Sequence, residues 1–240
     1  GARGDWGQAT IGKQWMPHYL WISAPTNVFH PGDGSYGEHF NLSNSADGKA
    51  GHFLKRTEGA LVYHSPVMNG LQLVAGAVLL GDDNENNNSV DDNVDAYNIA
   101  ARYAANGLTV ALSFGEIETD NTAGAKDEQE AKGFNVKYKA NALEVMAKYE
   151  ALETTSGGVE VADEDVIELA VRYTVNGTAV YGRVSDYEDD KDTSASGELK
   201  QWGLGVSKKL GKGIVYLEHV NNDSDDTAGD RTLAGYRLDF

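Results

Sequence analysis

Residues Tyr97–Phe114 read YNIAARYAANGLTVALSF. The apolar side chains fall on alternate positions: Tyr97, Ile99, Ala101 and Tyr103 on one arm, Leu108, Val110, Leu112 and Phe114 on the other. Between the arms lies Asn106-Gly107, a pair that tolerates positive φ and so marks a tight hairpin. A period of two argues against an amphipathic helix, whose apolar positions recur every 3.6 residues. The stretch therefore reads as two antiparallel strands joined by a two-residue turn.

The same unit recurs along the chain. Asn69-Gly70, Asn106-Gly107, Asn141-Ala142, Asn176-Gly177 and Gly211-Lys212-Gly213 follow one another about 35 residues apart. Alternation continues beside each, as in Leu143, Val145, Ala147 and Tyr149, or Ile167, Leu169, Val171 and Tyr173. A small or β-branched residue, a cation and a tyrosine recur together as ARY, VKY, AKY and VRY. Between hairpins run long polar loops such as Gly81–Asp95, GDDNENNNSVDDNVD. The pattern is strand, short turn, strand, long acidic loop. One end of the molecule carries tight turns and the other long loops.

Composition narrows the function. The chain has 240 residues and a net charge of -17, with no cysteine. The acidity argues against nucleic acid, since phosphates need a basic footprint. Without cysteine there are no disulfides and no thiolate-bound metals. The longest apolar run, Leu71–Leu80, is far short of the ~20 residues a membrane helix needs. Residue 1 is Gly, so the N-terminus reads as a processed or truncated end.

A soluble β-sandwich also alternates, but its strands are shorter and cross in Greek keys. Here about twelve strands, many of roughly 9–12 residues, follow one another in an up-and-down meander, as transmembrane strands do. Arg or Lys turned toward lipid near the midplane costs about 2–4 kcal/mol each. Arg102, Lys137, Lys148 and Arg172, with Glu168, are therefore expected to line a wet interior. The expected fold is all-β: a transmembrane antiparallel up-and-down barrel.

Three stretches resemble the Gram-negative general diffusion porins. GDWGQATIGKQW (Gly4–Trp15) resembles the turn and strand before that family's constriction loop. KRTEGALVYHSPVMNGLQL (Lys55–Leu73) resembles the strand after it. LAGYRLDF (Leu233–Phe240) resembles the closing strand. The resemblance implies a sixteen-stranded trimeric outer-membrane channel for passive diffusion, with no enzymatic activity and no cofactor. It implies that Tyr236, Leu238 and Phe240 form a sorting signal for the outer-membrane assembly machinery. The constriction loop falls after the first strand found here, so the first four strands of such a porin are expected to be absent. The rival reading is a native twelve-stranded barrel, since bacterial barrels have even strand counts.

Residues 16–51 lack alternation and hold Pro17, Pro25 and Pro31. A stretch of that length without regular pattern is usually functional. The resemblance makes it a constriction loop folded into the pore, with Asp33, Glu38 and Asp47 facing cations on the wall. Lys13, just before the loop, and Arg56, just after it, match basic positions of the family. The bland reading is a surface loop. Acidic loops around the mouth imply a modest cation preference. The remaining partners expected are the bilayer and lipopolysaccharide, the latter bridged by divalent cations.

Other motifs carry less. Arg3-Gly4-Asp5 reads as a periplasmic turn rather than an adhesion tripeptide. GLGVSKKLGKG (Gly203–Gly213) has no following helix for a nucleotide. DSDDTAGD (Asp223–Asp230) lacks EF-hand spacing, and the six His are scattered without metal-ligand spacing. The alternatives to a general pore are a substrate-selective channel, a barrel phospholipase and a soluble calcium-binding or adhesive β-protein.

Overall fold

Alternation in the chain becomes a single meandering sheet. A computed structural model describes residues 1–30, 42, 53–79, 94–120, 126–194, 197–222 and 230–238. The strands are β1 (Ala2–Gly4), β2 (Gly7–Trp15), β3 (Arg56–His64), β4 (Leu71–Val78), β5 (Ala96–Ala105), β6 (Leu108–Asp120) and β7 (Lys126–Ala140). They continue as β8 (Leu143–Ser156), β9 (Val159–Val175), β10 (Thr178–Asp189), β11 (Glu198–Leu210), β12 (Gly213–Asn222) and β13 (Arg231–Leu238). Each pairs antiparallel with its neighbour in sequence, so spatial order equals chain order. The sheet is not closed.

Thirteen strands stand where about twelve are expected. The addition is the three-residue β1, joined to β2 through Asp5-Trp6. Arg3-Gly4-Asp5 thus sits in a hairpin, as read above. Asn69, Asn106, Asn141 and Asn176 adopt φ of 50, 49, 50 and 51°. Asparagine tolerates this left-handed conformation better than other non-glycine residues. Gly70, Gly107 and Gly177 after three of them also have positive φ, whereas Ala142 does not, so no Gly is needed there.

The two faces of the sheet are chemically inverted relative to a soluble protein. Along β9, Ile167 and Leu169 are 62% and 45% exposed, while Glu168 between them is 1% exposed. The convex face shows Ile99, Leu112, Val184 and Leu204. At its tight-turn end it shows Trp6, Tyr63, Tyr103, Tyr138 and Tyr173. An apolar band edged by aromatics is the outer surface of a membrane barrel. Some strands run past the roughly 9–11 residues a bilayer needs. β9 has 17 residues and β7 has 15, so their loop-side ends project beyond the apolar band.

The buried residues lie on the concave face, beneath the segment that follows β2. Met16, Trp21, Ile22, Leu42, Phe53 and Leu54 pack there against Val62, Val74, Ala100 and Ala131 of the sheet. Val28 and Phe29 pack against Met146, Ala170, Tyr181 and Val220 further round. The core of this chain is therefore the contact between one inserted segment and a curved wall.

Candidate constriction site

Residues 16–30 run across the concave face from β4 to β12. A π-helical turn at Tyr19–Ser23 and a 3-10 turn at Ala24–Thr26 carry the segment. Single π turns are frequent at functional sites, and Pro25 occupies the start of the 3-10 turn. The wall makes room with glycine. A Cβ on Gly133 would stand 2.7 Å from Ile22 Cγ2 and 2.9 Å from His18 Cε1. A Cβ on Gly203 would stand 2.5 Å from Phe29 Cζ. A glycine inside a strand often marks such a close approach.

Buried polar groups fasten the segment at two places. At the first, the His18 backbone N–H donates to Asn98 Oδ1 at 3.0 Å. The His18 ring lies between Ser113 Oγ, 3.2 Å from Nδ1, and Glu150 Oε1, 3.1 Å from Nε2. Ser23 Oγ donates to the same Glu150 oxygen, and Lys148 Nζ donates to the other at 2.7 Å. Asn135 Nδ2 donates to the Ile22 carbonyl at 3.2 Å. The order Ser113, His18, Glu150 imitates a charge relay. However, His18 and Glu150 are fully buried, and Ser113 Oγ already accepts from Asn98 Nδ2 at 2.8 Å. The arrangement works as an anchor.

At the second place, Glu218 Oε1 accepts from the His30 backbone N–H at 3.0 Å and from the Tyr181 hydroxyl at 2.5 Å. Arg172 Nη2 donates to the Val28 carbonyl at 2.6 Å, and its guanidinium lies 5.1 Å from the Tyr181 ring centre. Arg183 lies 5.3 Å from the Phe29 ring centre. Between the two anchors, Glu168 accepts from Ser185 Oγ at 2.6 Å and pairs with Arg183 Nε at 3.2 Å. Buried charges survive only when paired and hydrogen-bonded. Lys148, Glu150, Glu168 and Arg183 meet that requirement, whereas Arg172 keeps its Nε buried without a hydrogen-bond partner among the described residues.

The residues singled out from the sequence divide into groups. Arg102, Lys148, Glu168 and Arg172 all lie on the concave wall, but Lys148 and Glu168, 4.0 Å apart, are buried beneath the inserted segment and do not line water, contrary to expectation. Arg102 bonds Gln72 at 2.8 Å and lies 4.7 Å from the Trp21 ring centre. Lys137 shares their face nearer the tight turns, paired with Glu144 at 3.1 Å. Lys13 and Arg56 do not join this cluster. Lys13 pairs with Glu58 at 2.7 Å, with side chains 52% and 73% exposed, and Arg56 stacks on Trp15. A register shift between Gly12 and Gln14 accompanies this placement. Tyr236 and Leu238 are exposed on the last strand. Asp33, Glu38, Asp47 and Phe240 lie outside the described residues, as does the run Asp223–Asp230 apart from Asp230.

Sequence reading did not single out His18, Ser23, Glu150, Tyr181, Arg183 or Glu218. A partial signal existed for some of them. Glu150 follows Lys148 at the two-residue spacing that shares a face, and Gly133 and Gly203 interrupt strands.

A family model described as Gram-negative porin matches residues 1–227. No curated protein sequence matches. Among solved structures, an anion-selective porin from Comamonas acidovorans superposes with a TM-score of 0.77 at 16% identity, covering 98% of this chain and 70% of that one. Salmonella typhi OmpF, solved in complex with daunomycin, gives 0.71 at 15%, covering 97% and 74%. The trimer form of OmpT, an outer membrane protein of Vibrio cholerae, gives 0.64 at 16%, covering 96% and 72%. At these identities the likeness is one of fold.

Proposed function

The chain belongs to the Gram-negative porin family and is an outer-membrane channel protein for diffusion; from that premise we propose a modestly cation-preferring pore constricted by residues 16–51. The observation that carries this reading is the docking of residues 16–30 across the concave face through buried hydrogen bonds. A segment fastened so firmly to the inside of a membrane wall narrows whatever passes. In this reading the continuation of the segment, with Asp33, Glu38 and Asp47, supplies the acids of the constriction, and Lys13 and Arg56 flank the two ends of the loop. Opposed charges across a narrow waist orient water and sort solutes by charge. The preference for cations follows from the net charge of -17. Passage is passive and involves no bond making. The working unit is a homotrimer, as in the trimer form of the Vibrio protein. The chain reaches the membrane through the assembly machinery, which reads Tyr236, Leu238 and Phe240, and its acidic rim meets lipopolysaccharide through divalent cations.

The test is planar-bilayer conductance of the refolded chain across a salt gradient. Where the chain gives stable single-channel steps, a reversal potential of cationic sign is expected; where its open sheet gives none, the measurement is repeated with the sheet completed by the first four strands of a porin. A reversal potential favouring chloride overturns the cation preference and leaves the channel standing. Phospholipid hydrolysis without conductance would favour the barrel phospholipase.

A further inference from the structure

The charges of this wall are sorted along the strand direction. Next to the tight turns, the concave face and its rim carry Arg102, Lys137, Lys139, Arg172 and Lys209, none more than a few residues from Asn106, Asn141, Asn176 or Gly211. Two carboxylates lie among them: Glu144, bonded to both Lys137 and Lys139, and Glu218, in the same cross-strand row as Arg172. At the long-loop end the sign reverses. Asp127, Glu164 and Asp189 alternate onto the concave side there, and the outer side of the same strand ends is also acidic.

That acidic end is built against local preference. On the outer face, cross-strand partners are carboxylate against carboxylate: Glu118 with Glu128, Glu130 with Glu153, and Glu153 with Asp163. Glu188 against Glu198 is also on that outer face, and among the described residues only Glu164 against Asp189 is a carboxylate pair on the concave face. Like charges directly opposite each other destabilise a sheet. Lys126, Lys132, Lys191 and Lys200 each pair with one carboxylate, which leaves the ladder acidic. Burial, with the carboxylates of Glu160, Asp165 and Asp190 nearby, pushes the Asp163 carboxyl up. Between the two ends, Lys148, Glu150, Glu168 and Arg183 neutralise one another. Among the described residues, the concave face is thus negative at the loop end through Asp127, Glu164 and Asp189, balanced at the waist and positive at the turn end.

We infer that this axial separation makes the channel a rectifier, passing more current when the loop side is positive than when it is negative. The inference rests on the channel reading above. With the loop side positive, cations enter through the mouth that concentrates cations, and anions enter through the mouth that concentrates anions. Both carriers accumulate at the waist. With the polarity reversed, each ion must enter through the mouth that repels it, and the waist is depleted. The effect depends on the reach of the fixed charges, so it should be large when the Debye length is about 10–30 Å and vanish when it is about 3 Å.

The experiment is a single-channel current–voltage curve for the full chain at about 0.05 M and about 1 M salt. The chain has no cysteine, so a single Thr193→Cys on the loop side or Val67→Cys on the turn side reports orientation, by block with a bulky thiol reagent added from one bath. An inward-to-outward current ratio of about two or more is expected at low salt, falling to one at high salt. The double variant Lys137→Gln, Lys139→Gln should bring the low-salt ratio toward one and leave high-salt conductance unchanged. Symmetric currents at low salt, or a ratio indifferent to that double variant, overturn the rectifier and leave the channel intact. Absence of conductance steps even with the sheet completed by the first four strands of a porin overturns the channel reading and the rectifier together.

Discussion

Two lysine–glutamate pairs in this chain have the same length and opposite surroundings. Lys148–Glu150 and Lys13–Glu58 both close at 2.7 Å. The first has side chains 1% and 0% exposed, and the second 52% and 73%. Around Lys148–Glu150 every neighbour is committed: Glu150 also bonds His18 and Ser23, and through them holds the inserted segment to the wall. Lys13–Glu58 touches water and is screened by salt. What differs is the cost of removing a partner, because only the buried pair would leave a charge with no solvent to receive it.

The comparison can be broken most directly at Glu150. Glu150→Ala leaves Lys148 buried and removes the acceptor shared by His18 and Ser23. A loss of about 3–5 kcal/mol is expected, read as a lower thermal unfolding midpoint in detergent, together with larger and noisier single-channel steps as the segment comes loose. Unchanged conductance would show that residues 16–30 do not set the pore. Tyr181→Phe tests the second anchor. It removes the hydroxyl that donates to Glu218, and a loss of about 1.5–3 kcal/mol is expected for a hydrogen bond to a charged group. Because Lys148, Glu168 and Arg183 link the two anchors, the loss in the double variant with Glu150→Ala should depart from the sum of the two single losses.

Gly133→Ala probes packing rather than charge. The new methyl would collide with Ile22 and His18, and overpacking of this kind costs about 1–3 kcal/mol. Trypsin should then cut after Arg or Lys near the loop faster than in the parent chain. The smallest effect belongs to Lys13→Ala, which should leave the unfolding midpoint within error at any salt concentration. A shift comparable to that of Glu150→Ala would collapse the distinction between the two pairs.

Much of this molecule was legible from one strand period. Alternation put Ile167 and Glu168 on opposite faces, and the cost of a lipid-facing cation then told which face was wet. The asparagine turns gave the repeat, and the repeat gave the meander. Reading failed at β1, three residues too short to show a period. It also failed to separate Lys13 and Arg56 from the wall cluster. Family position puts both beside the loop, but a register shift breaks the alternation there, so counting by twos no longer predicts a face.

What the sequence by itself determined was the class of structure: antiparallel strands, apolar outside and charged inside, with short asparagine turns at one end. These follow from contacts between near neighbours along the chain, which a period can report. The long loop expected at residues 153–165 is instead strand joined through the tight turn Gly157-Gly158. Which carboxylate holds the inserted segment was decided only by the tertiary structure. His18 and Glu150 are 132 residues apart in the chain, and His30 and Glu218 are 188 apart. No local pattern links positions so distant; the curvature of the sheet brings them together, and only then does burial turn an ordinary glutamate into an anchor.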